Sequence, residues 1–526
     1  MPHCLLARYG CLFLLIASTP IFSQSIARVS QSSAKIQGNN HSLSPAISAD
    51  GRYVAFISQA NNLTSNPPSD RYGIYVHDRT TGSTEKIRLT DGARELSVGW
   101  PSLNADGRYL AFSTAIGSCG TKLFGAWVVD RLTNAYEIVS VSTDGIPGNA
   151  GSSETVISAD GRFVAFESYA SNLDPRDHNE RRDVFLHDRL TRQTERVSGA
   201  PDGSDGDGLT GPPSLSADGR YVAFQSSSSN LVAGDRNGKC DIFVYDRLTR
   251  RTERVSVSSD GSEADDTSYD PGLSGDGQSV IFASHARNLY SGDTNWAPDI
   301  FIHDRTSHVT RRVNPDVRNS SGYGGYIEGL VVSGDGKWAA FNQLGTALTP
   351  EARGVFLATY ILDTVSSRIV YAGPAIETTP NLYFWSSEPA ISQDGAIVAF
   401  QSLSSRLVTG DTNGVYDIFA RSFSAPHQQE IKKEIKRPAI TAMINSMLTD
   451  VKICTLIPQR MRLSLTTLLL NAANAFERNQ SGVALANLRA FVSQVLGIHN
   501  SVFLSAKGRS WCQTASNIVN RVITGK

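Results

Sequence analysis

One phrase recurs seven times along the 526 residues: Ser-Ala-Asp-Gly-Arg-Tyr-Val-Ala-Phe or a close variant, turning on Asp50-Gly51, Asp106-Gly107, Asp160-Gly161, Asp218-Gly219, Asp276-Gly277, Asp335-Gly336 and Asp394-Gly395. Successive copies lie 56, 54, 58, 58, 59 and 59 residues apart. A near-constant period of this length marks a repeat architecture, in which each unit buries its apolar faces against its neighbours. The fourth copy shows what one unit contains. Pro213 to Ser216 is a short first strand, Asp218-Gly219 a hairpin turn, and Arg220 to Ser226 (RYVAFQS) a second strand; Asp241 to Arg247 (DIFVYDR) is a third and Thr252 to Ser258 (TERVSVS) a fourth. Tyr, Val, Ile and Phe fill these runs, and no helical periodicity occurs before residue 438. Four antiparallel strands repeated seven times predict an all-β, seven-bladed β-propeller.

The two ends of the array test the count. The seventh copy stops after its third strand, Asp417 to Ser422 (DIFARS), while Ile26 to Ser30 (IARVS) near the N-terminus matches the missing fourth. Inserted there, it closes the ring by main-chain pairing and leaves no open edge. Residues 24–423 are thus assigned to the propeller. Residues 1–23 read as a signal peptide: Arg8, then the apolar Cys11 to Ala17, then Pro20 and the small residues Ser23 and Ser25. The chain is expected to be exported, to the periplasm or the cell exterior. No apolar run is long enough to span a membrane. A charged, proline-bounded linker at 424–438 leads to 439–526, where Leu465, Leu468, Leu469, Ala472, Ala473 and Phe476 begin a series of apolar helical stripes; this segment reads as a small helical bundle. Cys454 and Cys512 are placed to bridge there or to stay as core thiols, and Cys119 and Cys240 are expected to be unpaired. With 49 basic against 50 acidic residues, the chain offers no field for nucleic acid.

The S-x-D-G-x-x-V-A-F phrase followed by D-I-F-x-x-D resembles the TolB-type, WD40-like (PD40) propeller repeats over residues 26–423, and Leu469 to Val495 resembles the small FIMAH module of secreted bacterial proteins. The first resemblance implies the propeller fold. The second implies an attachment role without catalytic residues. TolB itself has six blades and an N-terminal domain that this sequence lacks, so its partner does not carry over.

Alternating strand direction puts the tight first-to-second and third-to-fourth turns on one face and the long loops on the other. Loops on a rigid scaffold carry function, so the long-loop face is the candidate binding surface. Two sets of residues lie there. The first is a recurring D-x-N-x-x-x-D loop: Asp235, Asn237 and Asp241; Asp293, Asn295 and Asp299; Asp411, Asn413 and Asp417. Oxygen ligands in this pattern suit a hard cation such as calcium, although repetition in several blades favours Asx side chains that hold their own turns. The second set lies six residues before each repeat aspartate, where the innermost strands begin: Ser44, Trp100, Glu154, Pro212, Asp270, Gly329 and Glu388, with Glu328 beside Gly329. Trp100, Glu154, Asp270, Glu328 and Glu388 form the candidate binding ring. His77, His187 and His303 recur one per blade and read as packing. No G-x-S-x-G, H-E-x-x-H or phosphate loop occurs.

The expected function is a non-enzymatic binding or scaffold protein, a monomer that needs no cofactor and takes a protein or glycan on its long-loop face. The alternative is a carbohydrate-active enzyme of polysaccharide lyase type, with its site at the channel mouth.

Overall fold

The computed structural model describes residues 25–65, 72–89, 98–114, 125–293, 297–314, 326–344, 347–353, 355, 357–376 and 389–423. The signal segment, Cys119, Asn295, Glu388, the linker and the helical module with Cys454 and Cys512 lie outside the described residues.

Seven four-stranded antiparallel sheets follow one another around the ring. Blade one runs Ser42–Ile47, Tyr53–Ser58, Gly73–Asp78 and Ser83–Ile87. Blades two to six repeat that order. Blade seven is built from Ala390–Ile391, Ile397–Ser402 and Asp417–Ser422, and its fourth strand is Ser25–Arg28, paired antiparallel with Arg28 opposite Phe419. The Val29 N–H then donates to the Ile418 carbonyl at 2.7 Å. The N-terminal strand thus closes the ring as the repeat count requires.

The repeat phrase is explained residue by residue by blade packing. Val-Ala-Phe alternates between the two faces of the second strand, and its Phe meets an aromatic of the third: Phe56–Tyr75, Phe166–Phe185, Phe224–Phe243, Phe282–Phe301, Phe341–Tyr360 and Phe400–Phe419, with centroids 5.6–6.1 Å apart. Burying one such ring is worth about 2–3 kcal/mol, so this layer is a large part of the core. The serine ahead of Asp-Gly folds the hairpin by bonding the aspartate: Ser48–Asp50, Ser158–Asp160, Ser216–Asp218, Ser274–Asp276, Ser333–Asp335 and Ser392–Asp394 at 2.6–2.8 Å.

The glycine does a different job. Gly107, Gly161, Gly219 and Gly277 have φ near 70° and pack onto Tyr53, Tyr109, Phe163 and Tyr221 of the preceding blade. The same rings lie between two guanidinium groups; Tyr53 has Arg52 of its own blade at 4.7 Å and Arg131 of the next at 4.5 Å. Arg52 in turn makes a two-bond pair with Asp78, repeated in Arg108–Asp130, Arg162–Asp188 and Arg220–Asp246. Inside this layer a circle of main-chain bonds links the blades: Ala49 to Ala105, Ala105 to Ala159, Ala159 to Ala217, Ala217 to Gly275, Gly275 to Gly334, Asp335 to Gln393 and Gln393 to Ala49, at 2.8–3.3 Å. The recurring histidines are buried and face a threonine of the fourth strand, as in His77–Thr84 at 2.9 Å and His187–Thr194 at 2.9 Å.

Several boundaries differ from expectation: the closing strand is Ser25–Arg28 where Ile26 to Ser30 was expected, and the first strand of blade four shrinks to Ser214–Leu215. The fourth strand of blade four is Arg251–Arg254, not Thr252 to Ser258. Beyond Arg254 the Val255 N–H still bonds the Ile242 carbonyl at 2.8 Å, but regular pairing stops where Ser256 turns in, its hydroxyl accepting the Ile242 N–H and donating to the Asp241 carboxylate.

Candidate functional site

The first strands of all seven blades line a central channel of 410 Å³. At its mouth on the long-loop face the chain makes the same irregularity five times. The pairing of first and second strands slips between Leu43 and Ala46, Gly99 and Ser102, Ser153 and Val156, Tyr269 and Gly272, and Glu328 and Val331. Within each bulge one residue is left-handed: Ser44, Trp100, Glu154, Asp270 and Gly329, with φ between 47° and 64°. For four of these, which are not glycine, this costs about 1 kcal/mol or more each. A bulge redirects side chains, and here it sets Trp100, Glu154 and Asp270 of the candidate ring in the channel lining. The spacing of six residues from each repeat aspartate therefore marks one structural position, shared by Trp100, Glu154 and Asp270.

The bulges are held from behind. In blade four the Gln225 Oε1 accepts the Asp270 N–H of blade five at 2.9 Å, and in blade seven the Gln401 Oε1 accepts the Ser44 N–H of blade one at 3.1 Å. The equivalent residue of blade three is Glu167, whose counterpart in blade four is Pro212, a residue with no N–H to give. Glu167 is fully buried, with Oε2 bonded to Arg182 at 2.9 Å and Oε1 left without a hydrogen-bond partner. Burial raises its pKa.

Around the opening, Trp100 is 42 % exposed, and Glu154, Asp270 and Glu328 are half-buried. The Asp270 carboxylate accepts the Gly329 N–H at 3.0 Å, and desolvation in the wall pushes its pKa up to about 6. Beside it Tyr269 stacks on Tyr326 at 5.7 Å, nearly parallel.

The D-x-N-x-x-x-D loops lie farther out, and the structure gives each described set an arginine from a fourth strand. Arg254 Nη1 reaches Asp235 at 3.3 Å, Asp241 at 3.6 Å and Glu263 at 2.9 Å, while Asn237 bonds Asp241 at 2.7 Å. Arg28 reaches Asp411 at 3.3 Å and Asp417 at 3.4 Å, with Asn413 on Asp417 at 2.9 Å. Arg312 pairs with Asp299 at 3.0 Å, and Asp293 of the same loop is buried. The sequence holds a further copy of the pattern with identical spacing, Asp177, Asn179 and Asp183. It is the most acidic of them: Arg196 faces Asp174 at 3.9 Å, Asp177 at 3.8 Å, Asp183 at 4.0 Å and, closer, Asp205. Arg176 also pairs with Asp174 at 2.9 Å, so four carboxylates face two guanidinium groups, and burial with a neighbouring carboxylate pushes both Asp177 and Asp235 up to about 6. Among the described residues no three His, Cys, Asp or Glu side chains converge as a metal cage.

No family model matches the chain, and no curated protein does. Among solved structures it is similar to a TolB protein of Agrobacterium tumefaciens (17 % identity, 55 % of this chain and 88 % of that one, TM-score 0.34). It is also similar to the WD40 repeats of RRP9 (10 %, 76 % and 100 %, TM-score 0.40) and to the tricorn protease (11 %, 95 % and 42 %, TM-score 0.43), of which it spans less than half. The chain's own repeat phrase and blade topology carry the assignment: it is a seven-bladed β-propeller.

Proposed function

We propose that this chain is an exported binding or scaffold protein that presents the mouth of its channel to a protein or glycan partner. The observation that supports this best is the set of left-handed bulges, which bring Trp100, Glu154 and Asp270 around one opening. The described lining includes no His, Lys or Arg. A lyase would need a base beside its sugar and a cation to stabilise the charge developing on the uronate, and an acidic wall disfavours such an anionic substrate, so the binding reading has the stronger support. Calcium in the outer loops remains part of the proposal only as an additional ligand at carboxylates that already face an arginine.

The test is capture from an envelope extract by three forms of the full chain: wild type, the mouth variant Trp100→Ala with Glu154→Gln, and a control on the opposite face, Leu190→Ser with Leu248→Ser. The mouth variant should lose the captured partner and the control should keep it. Equal capture by all three forms would overturn the assignment of the face. Repeating the capture in chelator tests the loop calcium: a partner that stays bound removes calcium from the reading.

A further inference from the structure

We propose that three of the seams between blades are acid-sensitive latches, which open on protonation of His77, His187 and His303 while the seams without a histidine stay shut. The device belongs to the scaffold and is independent of what the ring binds. Its first support is a hydrogen-bonded chain that recurs at blades one, three and five. A threonine of the fourth strand donates its hydroxyl to a carbonyl of the link arriving from the preceding blade: Thr84 to Gln31, Thr194 to Val141 and Thr310 to Val257, each at 2.5 Å. The same threonines give their N–H groups to link hydroxyls, those of Ser33, Thr143 and Ser259, at 2.9–3.2 Å. A hydroxyl has one proton to give. Toward the histidine, 2.8–2.9 Å away, each threonine oxygen can therefore only accept, so Nδ1 of each ring carries the hydrogen. Nε2 is left as the basic site.

The second support is burial, since the three histidines are only 1–4 % exposed. Asp78 and Arg79 act on His77; Glu137 of blade two, Asp188, Arg189 and Arg192 on His187; and Glu253 of blade four, Asp304, Arg305 and His308 on His303. The acids favour the imidazolium and the cations oppose it, but desolvation outweighs both, holding His77 and His187 down at about 4 and His303 below its ordinary range. Protonation leaves the Nδ1 bond in place and puts a full charge where water scarcely reaches; parting the link from the fourth strand hydrates it. The third support is alternation. Val129, Tyr245 and Leu362 hold the same register position in blades two, four and six, and none of them gains a charge in acid. An open seam takes up its proton below about 6.5 and a closed one only near 4, so the latch is at full strength above 6.5 and weakens as the pH falls from there toward 4.

Hydrogen exchange on the full-length protein, corrected for the intrinsic rate at each pH, tests the proposal. The peptides compared cover Ser83–Ile87, Gln193–Arg196 and Val309–Arg312 at the histidine seams, with Ala135–Ile138 and Arg251–Arg254 of blades two and four as the internal reference. Between pH 7.5 and pH 5, opening at the histidine seams should rise by about tenfold or more, and at the reference strands by no more than about twofold. Asp177, Asp235 and Asp270 take up protons in the same range and act in the opposite sense, so the result is read as a difference between seams. In the second arm, His77→Asn, His187→Asn and His303→Asn are combined. The amide still offers the threonine an N–H but cannot ionise, and the acid-induced rise should disappear from all three seams whatever the variant's stability at neutral pH. The single variant His187→Asn should remove it from blade three alone. An equal rise in every blade, or a rise that survives the substitutions, overturns the latch.

Discussion

Gly82 and Gly107 share a backbone conformation, with φ of 76° and 71°, but differ in what surrounds them. A Cβ on Gly82 would meet nothing within 4 Å, whereas one on Gly107 would lie 2.4 Å from the Tyr53 ring of the neighbouring blade. Gly82→Ala should therefore cost only the left-handed strain, about 1 kcal/mol. Gly107→Ala adds the clash with a ring already held between two guanidinium groups, and should cost about 3 kcal/mol in all. Urea unfolding of the two variants compares them, and equal losses would defeat the account of blade interlock. The Asp-Gly turn was legible in the sequence because it is local. What the glycine touches was not, since its partner is the tyrosine one repeat earlier, brought there by the rotation between blades. The same holds for the mouth: a fixed spacing identified Trp100, Glu154 and Asp270, but neither their left-handed backbone nor the stranded oxygen of Glu167 can be read without coordinates.

Between elements, the loop joining the second and third strands is tied down by the fourth. The Arg-Val-Ser at the end of that strand divides its work, Arg254 to the loop acids, Val255 to the core and Ser256 to Asp241, and Arg28, Val29 and Ser30 do the same in blade seven. The acids were seen in the sequence as oxygen ligands for a cation; that a guanidinium faces them required knowing which strand lies beside which loop. In blade three the acids are in excess, and Asp177 shows the consequence. Asp183 and Asp205 oppose its ionisation, Arg196 favours it, and burial decides, pushing its pKa up to about 6 from 3.8. Above pH 6 the folded state carries the cost of the charge. Between 6 and 3.8 it holds a proton that the unfolded chain does not, so this group's contribution to stability grows as the pH falls through 6. Asp177→Asn should accordingly stabilise the protein by about 1–2 kcal/mol at pH 7.5, with the gain shrinking toward zero near pH 4. Urea midpoints across that range measure it; a gain that does not change with pH would sink the explanation.

For the whole ring, closure joins residues almost 400 positions apart, since Arg28 lies opposite Phe419. Deleting Ser25 to Ser30 bares the Asp417–Ser422 edge and leaves Asp411 and Asp417 without their arginine. An open strand edge invites pairing with other chains, and stranded buried charges cost about 3–5 kcal/mol. The truncated protein should unfold at lower denaturant and self-associate on a sizing column, and a synthetic peptide covering residues 24–31 should restore both properties in part. A truncated form that stays monomeric with an unchanged midpoint would show that the ring is held by its other interfaces alone. By itself the sequence determined the number of blades, the identity of their strands and the pairing of the first strand with the last, because strand patterning and turn chemistry act over a few residues and repeat at a fixed period. Only the tertiary structure decided what those repeats bring together: the strained rim of the channel, the arginine facing each acidic loop and the unpaired oxygen of Glu167. Each of these depends on groups from separate strands or neighbouring blades meeting within a few ångströms, a distance set by the packing of blades around the axis and not by any spacing along the chain.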